Sequence, residues 1–375
     1  MSSLEIKLVK TKRDRLVFIK MPWGIYKNDP YWVPPVIADQ KAFLDPGKGV
    51  FYDHGEAELY LAYRNGVPVG RISAHLHFLH DQKYGDGKGF FGFFECEDNQ
   101  ETANALFRRA EDYLKGKNRT VCEGPLSFGI YDEVGILIKG FDSSPYMLNI
   151  HNPPYYKTLI ERAGYEKSID WYAYRGLLKD YDTLDKRLFR LRDRALSRAG
   201  LNIRKVNLGR LHEEAVIVKN LFDTAWDKNW GHVPLAEAEW RRLVHELARV
   251  AIPELTLIAE KNGSPAGFTL TLYDANVAVK QINGRLFPFG FLKLLGNLKK
   301  TKNIRFILMG VREEFRGRGI ENALFLEVAQ RAYEMGFTEM EMSLIVENNE
   351  AMIGSLKYFP VHIEKIYRLF ENELK

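Results

Sequence analysis

The stretch that decides the fold runs Phe306-Ile-Leu-Met-Gly-Val-Arg-Glu-Glu-Phe-Arg-Gly-Arg-Gly-Ile-Glu-Asn-Ala-Leu-Phe325. It begins with apolar residues typical of a β-strand, passes through an Arg/Gly loop, and continues as an amphipathic helix. Gly317 and Gly319 allow a sharp turn where the helix begins, and the open backbone N–H groups there favour an anion. Positive charge at the same place comes from Arg312, Arg316 and Arg318. The stretch therefore predicts a binding site for a pyrophosphate.

Two common pyrophosphate motifs do not fit this loop. A Walker loop requires Lys and Ser or Thr after its glycines, whereas Ile320-Glu321-Asn322 follow here. The dinucleotide fingerprint requires a third Gly or Ala at the helix start, and that position is not satisfied. A plain glycine turn with solvated arginines stays open as the simplest alternative.

The loop resembles the acyl-CoA loop of the GNAT superfamily of N-acyltransferases, whose pattern Arg/Gln-x-x-Gly-x-Gly/Ala lies between a strand and a helix. Arg316 and Gly319 match the pattern, and Glu321 stands where a small residue is usual. The resemblance implies an acyl-CoA co-substrate, either acetyl-CoA or a longer-chain acyl-CoA, and no metal. The cofactor-binding residues that it implies are Val311, Arg312, Arg316, Gly317, Arg318, Gly319, Ile320 and Asn348.

The chain downstream has the order that this superfamily uses. Residues 339–346 alternate as a strand does, and Asn348 and Asn349 begin a helix with an N-cap signature. Tyr367-Arg-Leu-Phe370 is a plausible last strand. The resemblance implies that the cofactor lies between strands at 304–311 and 339–346. For Asn348, capping the helix is an equally good role.

The chain also repeats itself. A strand, an Asn-Gly turn and a second strand occur at 58–70 and again at 254–267, and Asn-Ala-Leu-Phe occurs at 104–107 and 322–325. A fainter third echo relates Asn152 to Asn348. Echoes in the same order indicate duplication. We therefore predict an α/β fold of two tandem GNAT-like domains, each a mixed central sheet flanked by helices.

The predicted boundaries assign residues 1–178 to a degenerate domain, 179–200 to a basic helical linker, and 201–375 to the CoA-binding domain. The N-terminal half carries Glu95, Glu97, Asp98 and Glu101 where the C-terminal half has its arginines, and those carboxylates would repel a pyrophosphate. The first domain is expected to shape the substrate side or to be purely structural. The linker helix is expected to be solvated, with attraction for an acidic surface as the alternative.

Catalysis in this superfamily is direct attack of an amine on the thioester, which requires a base for the amine and donors for the oxyanion. His232 lies in a polar and aromatic turn after the first helix of the C-terminal half, and it is the first candidate base. Glu133, in a loop beside apolar residues, is the second. Tyr358 is the candidate acid, because Ser355 occupies the spacing at which the superfamily often has a Tyr. A surface role for His232 and turn capping by Glu133 are the alternatives.

Residues 286–302 are an apolar insertion flanked by lysines between the predicted third and fourth strands of the C-terminal domain. Three roles fit it: packing between domains, contact with a membrane surface, or the wall of a tunnel for an acyl chain. The whole chain, with its Asp29-Pro-Tyr-Trp-Val-Pro-Pro35 segment, resembles bacterial two-domain GNAT-like proteins and, more distantly, bacterial ceramide synthases. The resemblance implies a small-molecule or lipid amine acceptor. A lipid or metabolite sensor that has lost the chemistry is the alternative.

Composition limits the partners and the compartment. A net charge of +5 on 375 residues does not indicate nucleic-acid binding. Two cysteines provide no disulfide framework and no metal-ligand spacing, as expected in a reducing cytosol. The sequence contains no apolar run long enough to span a bilayer. We expect a cytoplasmic protein. The alternative is a protein that contacts the inner membrane surface peripherally through residues 286–302.

Overall fold

The computed structural model describes residues 3–286, 290–298 and 300–375. The insertion expected at 286–302 is therefore described in part, and its residues 287–289 and 299 lie outside the described residues. The chain divides into two compact units, and neither is a continuous segment. Unit 1 comprises Met1–Trp171, Ala278–Leu294 and Lys365–Lys375, and unit 2 comprises Tyr172–Val277 and Leu295–Glu364.

The first half of the chain alternates short helices with long strands. In order, its elements are β1 (Leu4–Leu8), α1 (Lys12–Lys20), α2 (Pro22–Ile25), α3 (Ile37–Phe43), β2 (Gly55–Arg64), β3 (Val67–His77), α4 (Phe78–Tyr84), β4 (Lys88–Cys96), α5 (Gln100–Gly116), β5 (Val121–Gly124), β6 (Ile136–Lys139), α6 (Tyr156–Arg162) and β7 (Glu166–Leu177).

The second half repeats this succession. Its elements are α7 (Lys186–Ala199), β8 (Asn202–Lys205), α8 (Leu211–Trp226), α9 (Glu237–Ala248), β9 (Leu257–Lys261), β10 (Ser264–Tyr273), α10 (Asn276–Ile282), α11 (Gly290–Leu298), β11 (Asn303–Val311), α12 (Ile320–Glu334), β12 (Glu339–Val346), α13 (Glu350–Leu356) and β13 (Val361–Glu373).

In unit 1 the strands follow the order β1-β2-β3-β4-β5, antiparallel until β4 and β5, which are parallel. The predicted hairpin at 58–70 is confirmed, because Asn65 and Gly66 turn between β2 and β3 with φ of 51° and 80°. Helix α5 crosses between the two parallel strands and buries Leu106, Phe107 and Ala110 in the core of this unit. Residues Phe370–Glu373 of β13 pair with β5.

Unit 2 has the same arrangement. Its strands follow the order β8-β9-β10-β11-β12, and here β11 and β12 are the parallel pair, joined through α12. The predicted strands at 304–311 and 339–346 and the second hairpin, with its turn at Asn262 and Gly263, are confirmed. Helix α12 packs Phe325 against Phe306 of β11 and against Phe359, with ring centroids 5.6 and 4.4 Å apart.

The last predicted strand is longer than Tyr367–Phe370, and it is divided between the units. Only Val361–Glu364 belongs to unit 2, while the rest of β13 belongs to unit 1. Conversely, Tyr172–Leu177 of β7 belongs to unit 2, where β7 lies beside β12. Sequence patterns show that a segment forms a strand, but the pairing partner depends on contacts that are distant along the chain.

Gly310 lets β11 pack closely, which gives a test of the fold. A Cβ at this position would lie 2.6 Å from Cε1 of Phe268 and 2.9 Å from Cβ of Ala225. We expect Gly310→Ala to lower the free energy of unfolding by about 1–3 kcal/mol through overpacking. The control is Gly354→Ala in α13, where nothing lies within 4 Å and alanine favours the helix. Urea titration measures both, and equal stability of the two variants would contradict the prediction.

Candidate functional site

The Arg/Gly loop ends at a helix whose first N–H groups are left open. Gly317 and Gly319 have φ of 68° and 81°, and Gly319 is the N-cap of α12 without any side-chain cap. Buried Phe315 before the glycines and buried Ile320 after them anchor the loop in the core. In unit 1 the corresponding helix α5 is capped by Asn99, whose side chain accepts a hydrogen bond from Thr102 N at 3.2 Å. Of these two corresponding helix starts, the one in unit 2 lacks a side-chain cap and presents its N–H groups to a ligand.

The three arginines of the loop have different surroundings. The Arg312 side chain forms an ion pair with Glu314 at 3.0 Å. Arg316 donates from Nε to the carbonyl oxygen of Val311 at 2.9 Å and from Nη2 to that of Ala225 at 2.6 Å, so it fixes the loop to α8. Arg318 is exposed and makes no ion pair or side-chain hydrogen bond within the described residues. Of the three predicted charges, Arg318 is the one available to an anion.

Strands β11 and β12 part at the predicted cofactor position. Their parallel pairing runs from Asn303–Glu339 to Phe306–Met342, and both strands continue beyond it, to Val311 and Val346. A bulge against β10 falls at the same point, because Leu270 pairs with Leu308 and Thr271 with Phe306. A bulge bends its strand, which explains the divergence. The Trp226 indole N–H donates to the carbonyl oxygen of Met309 at 3.1 Å within the parted segment.

A cavity of about 560 Å³ lies between helices α7 and α12 of unit 2. The α7 helix confirms the predicted basic helix, but it packs along α12, with Cβ of Ala195 3.6 Å from where a Cβ of Gly319 would be. Its lining mixes apolar side chains with arginines of α7, and it includes Arg318 and the two loop glycines. The residues that line it are Leu188, Leu191, Arg192, Arg194, Ala195, Arg198, Ala199, Gly317, Arg318, Gly319, Asn322, Ala323, Leu326 and Phe359.

Two features of the cavity bear on the kind of ligand that it could hold. Oδ1 of Asn322 is buried and has no hydrogen-bond partner in the described part of the chain. The amide of this side chain can present either its oxygen or its NH₂ group to a ligand. Glu321, the residue that departs from the acyl-CoA loop pattern, is not among the lining residues. Its carboxylate therefore does not stand in the cavity.

A buried polar cluster lies at the end of the parallel pairing of β11 and β12, where Arg305 pairs with Glu341 one position before the last pair. Arg305 donates from Nε to Oγ of Ser343 at 2.9 Å, and the Ser343 hydroxyl donates to Oε1 of Glu341 at 2.5 Å. The Arg305 guanidinium lies 3.7 Å from the Glu341 carboxylate. Burial raises the pKa of Glu341 to about 7, although Arg305 opposes the shift. A carboxyl with such a pKa exchanges a proton near neutral pH, as general acid–base catalysis requires.

The three predicted catalytic residues occupy different surroundings. His232 is fully buried, with its ring 5.5 Å from that of Phe222 on α8. Tyr358 is 64% exposed after α13. Glu133 belongs to unit 1, where it accepts a hydrogen bond from Oγ of Ser127 at 3.2 Å and burial raises its pKa against the effect of Arg71. Their catalytic roles stay predictions.

The helix cap predicted around Asn348 belongs to the next residue. Asn349 is the N-cap of α13, and its side chain accepts a hydrogen bond from Met352 N at 3.1 Å. Asn348 precedes this N-cap, so the capping alternative for it is wrong. A run of two asparagines before a helix does not tell which one is the cap, because either satisfies the same preference.

Sequence reasoning missed Glu341 and the contribution of α7. The Glu-Met-Glu-Met-Ser pattern at 339–343 does predict alternating faces, and Met340 and Met342 pack in the core beside α12. The pattern cannot show that the other face is also covered, and Glu341 is 0% exposed. The arginines of α7 form a charge run in the sequence, whereas their position beside the loop depends on tertiary packing.

Comparison with known proteins agrees with this geometry. Residues 216–358 match the sequence model of the Acetyltransferase (GNAT) family. Over its full length the chain is 34% identical to a protein of Caulobacter vibrioides (strain NA1000 / CB15N) named bacterial ceramide synthase, 98% of which is covered. It is also 34% identical to protein YghO of Escherichia coli (strain K12), over 98% of this chain and 95% of that protein.

A solved structure has the same tandem fold. A tandem GNAT protein from the clavulanic acid biosynthesis pathway matches over 100% of this chain and 99% of its own, with a TM-score of 0.58 at 14% identity. The chain belongs to the GNAT superfamily, and its fold is that of two tandem GNAT domains. It is an N-acyltransferase, and an acyl-CoA is its co-substrate.

The uncapped loop gives a direct test of co-substrate binding. In Gly319→Val, a β-branched residue would have to adopt φ near 81° beside Ala195, so the loop N–H groups should move. Backbone strain of about 1–3 kcal/mol would be relieved by a movement of the loop, and that movement displaces the N–H groups that bind the anion. We therefore expect the affinity for CoA to fall by about 10- to 100-fold. The measurement is calorimetric titration of CoA.

A matched control exists at the opposite end of the same helix. Gly336 has φ of 77°, so Gly336→Val imposes similar strain away from the loop. It should lower stability while leaving CoA affinity unchanged. Unaltered CoA affinity in Gly319→Val would overturn the assignment of the loop.

Proposed function

We propose that this protein transfers an acyl group from a long-chain acyl-CoA to the primary amine of a lipid. The observation that carries the proposal is the full-length similarity to the Caulobacter protein named bacterial ceramide synthase.

The residues proposed to hold the co-substrate surround the loop. Backbone N–H groups at Gly317–Gly319 and the start of α12 would bind the pyrophosphate, with Arg318 as the nearby charge. Arg316 would keep the loop in place through its two carbonyl contacts. The remaining proposed members of this group are Val311, Arg312, Ile320 and Asn348.

The chemical step needs a proton acceptor near the parted strands. The amine nitrogen attacks the thioester carbonyl carbon, a C–N bond forms, and the C–S bond breaks to release the thiolate of CoA. The amine gives up a proton, and the thiolate takes one to leave as the thiol. We propose Glu341 as the acceptor of the amine proton, with Arg305 and Ser343 holding its carboxylate in position.

The three catalytic residues predicted from the sequence can be tested in the same kinetic assay. His232 and Glu133 are alternative bases, and Tyr358 is the proposed acid for the thiolate. Single variants His232→Ala, Glu133→Gln and Tyr358→Phe separate these roles. A variant that lowers kcat and leaves acyl-CoA affinity intact identifies a residue that acts in the step.

We also propose that residues 286–302 contact a membrane surface. None of the helices formed by the described residues combines the length and the apolar character needed to cross a bilayer. Helix α11 lies in this insertion, and its Leu292 is 66% exposed. A short apolar helix with lysines nearby suits the surface of an anionic bilayer, where a lipid amine would be met.

The choice of substrates tests the proposed function. We expect palmitoyl-CoA with a long-chain amine to be turned over with kcat/KM at least about 100-fold above acetyl-CoA with a small soluble amine. Mass spectrometry of the N-acylated product measures both reactions. Turnover of the small pair alone would contradict the lipid substrate, and binding of acyl-CoA without turnover of any amine would favour the sensor hypothesis.

The pH dependence tests Glu341. Above pH 7 its carboxylate is ionised and able to accept a proton, and below pH 7 it is protonated, so kcat should fall as the pH falls through about 7. Glu341→Gln should lose this dependence and lower kcat by about 10²- to 10⁴-fold, with little change in acyl-CoA affinity.

The control for this variant is another carboxylate of the same strand. Glu339→Gln removes a carboxylate two residues away, which forms an ion pair with Arg175 at 2.6 Å. We expect it to keep the wild-type pH profile. A wild-type profile in Glu341→Gln would show that another group accepts the proton. The melting temperature is checked for each variant, because Glu341→Gln leaves Arg305 without its buried carboxylate.

A further inference from the structure

Helix α7 carries two kinds of arginine on the side that meets the cavity. Arg192 is neutralised, because it forms ion pairs with Asp193 at 2.9 Å and Glu327 at 3.3 Å and donates to Oε1 of Gln330 at 2.6 Å. Arg194 and Arg198 also line the cavity, yet neither has an ion pair or side-chain hydrogen bond in the part of the chain that the structure describes. Their charges are therefore available to a ligand.

The positions of these two arginines suit a single compact anion. Residues four apart on a helix lie one turn apart on the same face, about 5–6 Å between Cβ atoms. Across the cavity, α12 and its loop contribute Arg318, and no Asp or Glu is found among the described residues that line the cavity. Three guanidinium groups without counter-charge make the part of the cavity beside the loop glycines strongly attractive to a multiply charged anion.

We infer that Arg194 and Arg198 bind the 3′-phosphate of the acyl-CoA co-substrate. This inference rests on the proposed function, and it adds a second phosphate site on a helix outside the Arg/Gly loop. The 3′-phosphate is a monoester with a charge of about −1.5 to −2 at pH 7 and three terminal oxygens, so it can accept hydrogen bonds from two guanidinium groups at once. The loop N–H groups on the facing wall remain for the pyrophosphate.

The assignment gives α7 a role in specificity. A helix that contacts only the 3′-phosphate distinguishes CoA from nucleotides and pantetheine derivatives that lack this group. The apolar residues of the same helix, Leu188 and Leu191, continue the wall of the cavity beyond the arginines. Recognition of the phosphate would thus fix the end of the ligand that is farthest from the reacting thioester.

Calorimetric titration of CoA and of 3′-dephospho-CoA into the full chain tests the inference. We expect the wild type to bind CoA about 30-fold or more tightly than 3′-dephospho-CoA. In the double variant Arg194→Gln/Arg198→Gln, CoA affinity should fall to that of 3′-dephospho-CoA, whose own affinity stays unchanged. The preference for CoA should also weaken below about pH 6, where the monoester takes up a proton.

The control removes the same charge from the same helix. Arg187→Gln/Arg190→Gln alters two exposed arginines that do not line the cavity, and it should retain the wild-type preference. Equal binding of the two ligands by the wild type would overturn the inference while leaving acyl-CoA binding intact. An equal loss of preference in the control would overturn it as well, because total charge would then be the cause. Failure of the wild type to bind either ligand would overturn the proposed function itself.

Discussion

Unit 2 depends on two parallel strands that stop pairing after Phe306 and Met342. Backbone polar groups released in this way require other partners. Side chains supply several of them: the Trp226 indole donates to the Met309 carbonyl, and Arg316 donates to the carbonyl of Val311 while also contacting Ala225. The opening is therefore held by α8 and by the loop itself, and the loop glycines can leave their N–H groups for a ligand.

The two units show how one fold serves different purposes at equivalent places. Asn99 caps α5 in unit 1, whereas Gly319 leaves α12 uncapped in unit 2. Acidic residues near the start of α5 form ion pairs within unit 1. Glu97 and Glu101 pair with Arg64 at 3.0 and 3.1 Å, and Glu95 lies 3.6 Å from Arg71. The cap residue, asparagine in unit 1 and glycine in unit 2, is one of the differences between a helix start closed by a side chain and one that is open to an anion.

Much of this fold could be predicted from local patterns, because the strand, loop and helix at 306–325 and the two Asn-Gly hairpins are encoded by neighbouring residues. The features that could not be predicted are non-local. Alternation in β12 showed two faces, yet only packing shows that the face with Glu341 is buried. The charges of α7 were visible, but their place beside Gly319 was not. The partner of β13 was missed for the same reason.

The division of β13 and β7 has a consequence for synthesis of the chain. Unit 1 includes Lys365–Lys375, which follow the whole of unit 2 along the chain. Domains commonly fold in order as they emerge, but here the first unit is complete only after the second has been synthesised. Its strand β5 then acquires a partner in residues Phe370–Glu373. Until then the nascent first unit has an unpaired sheet edge, and such an edge is a template on which another chain can pair.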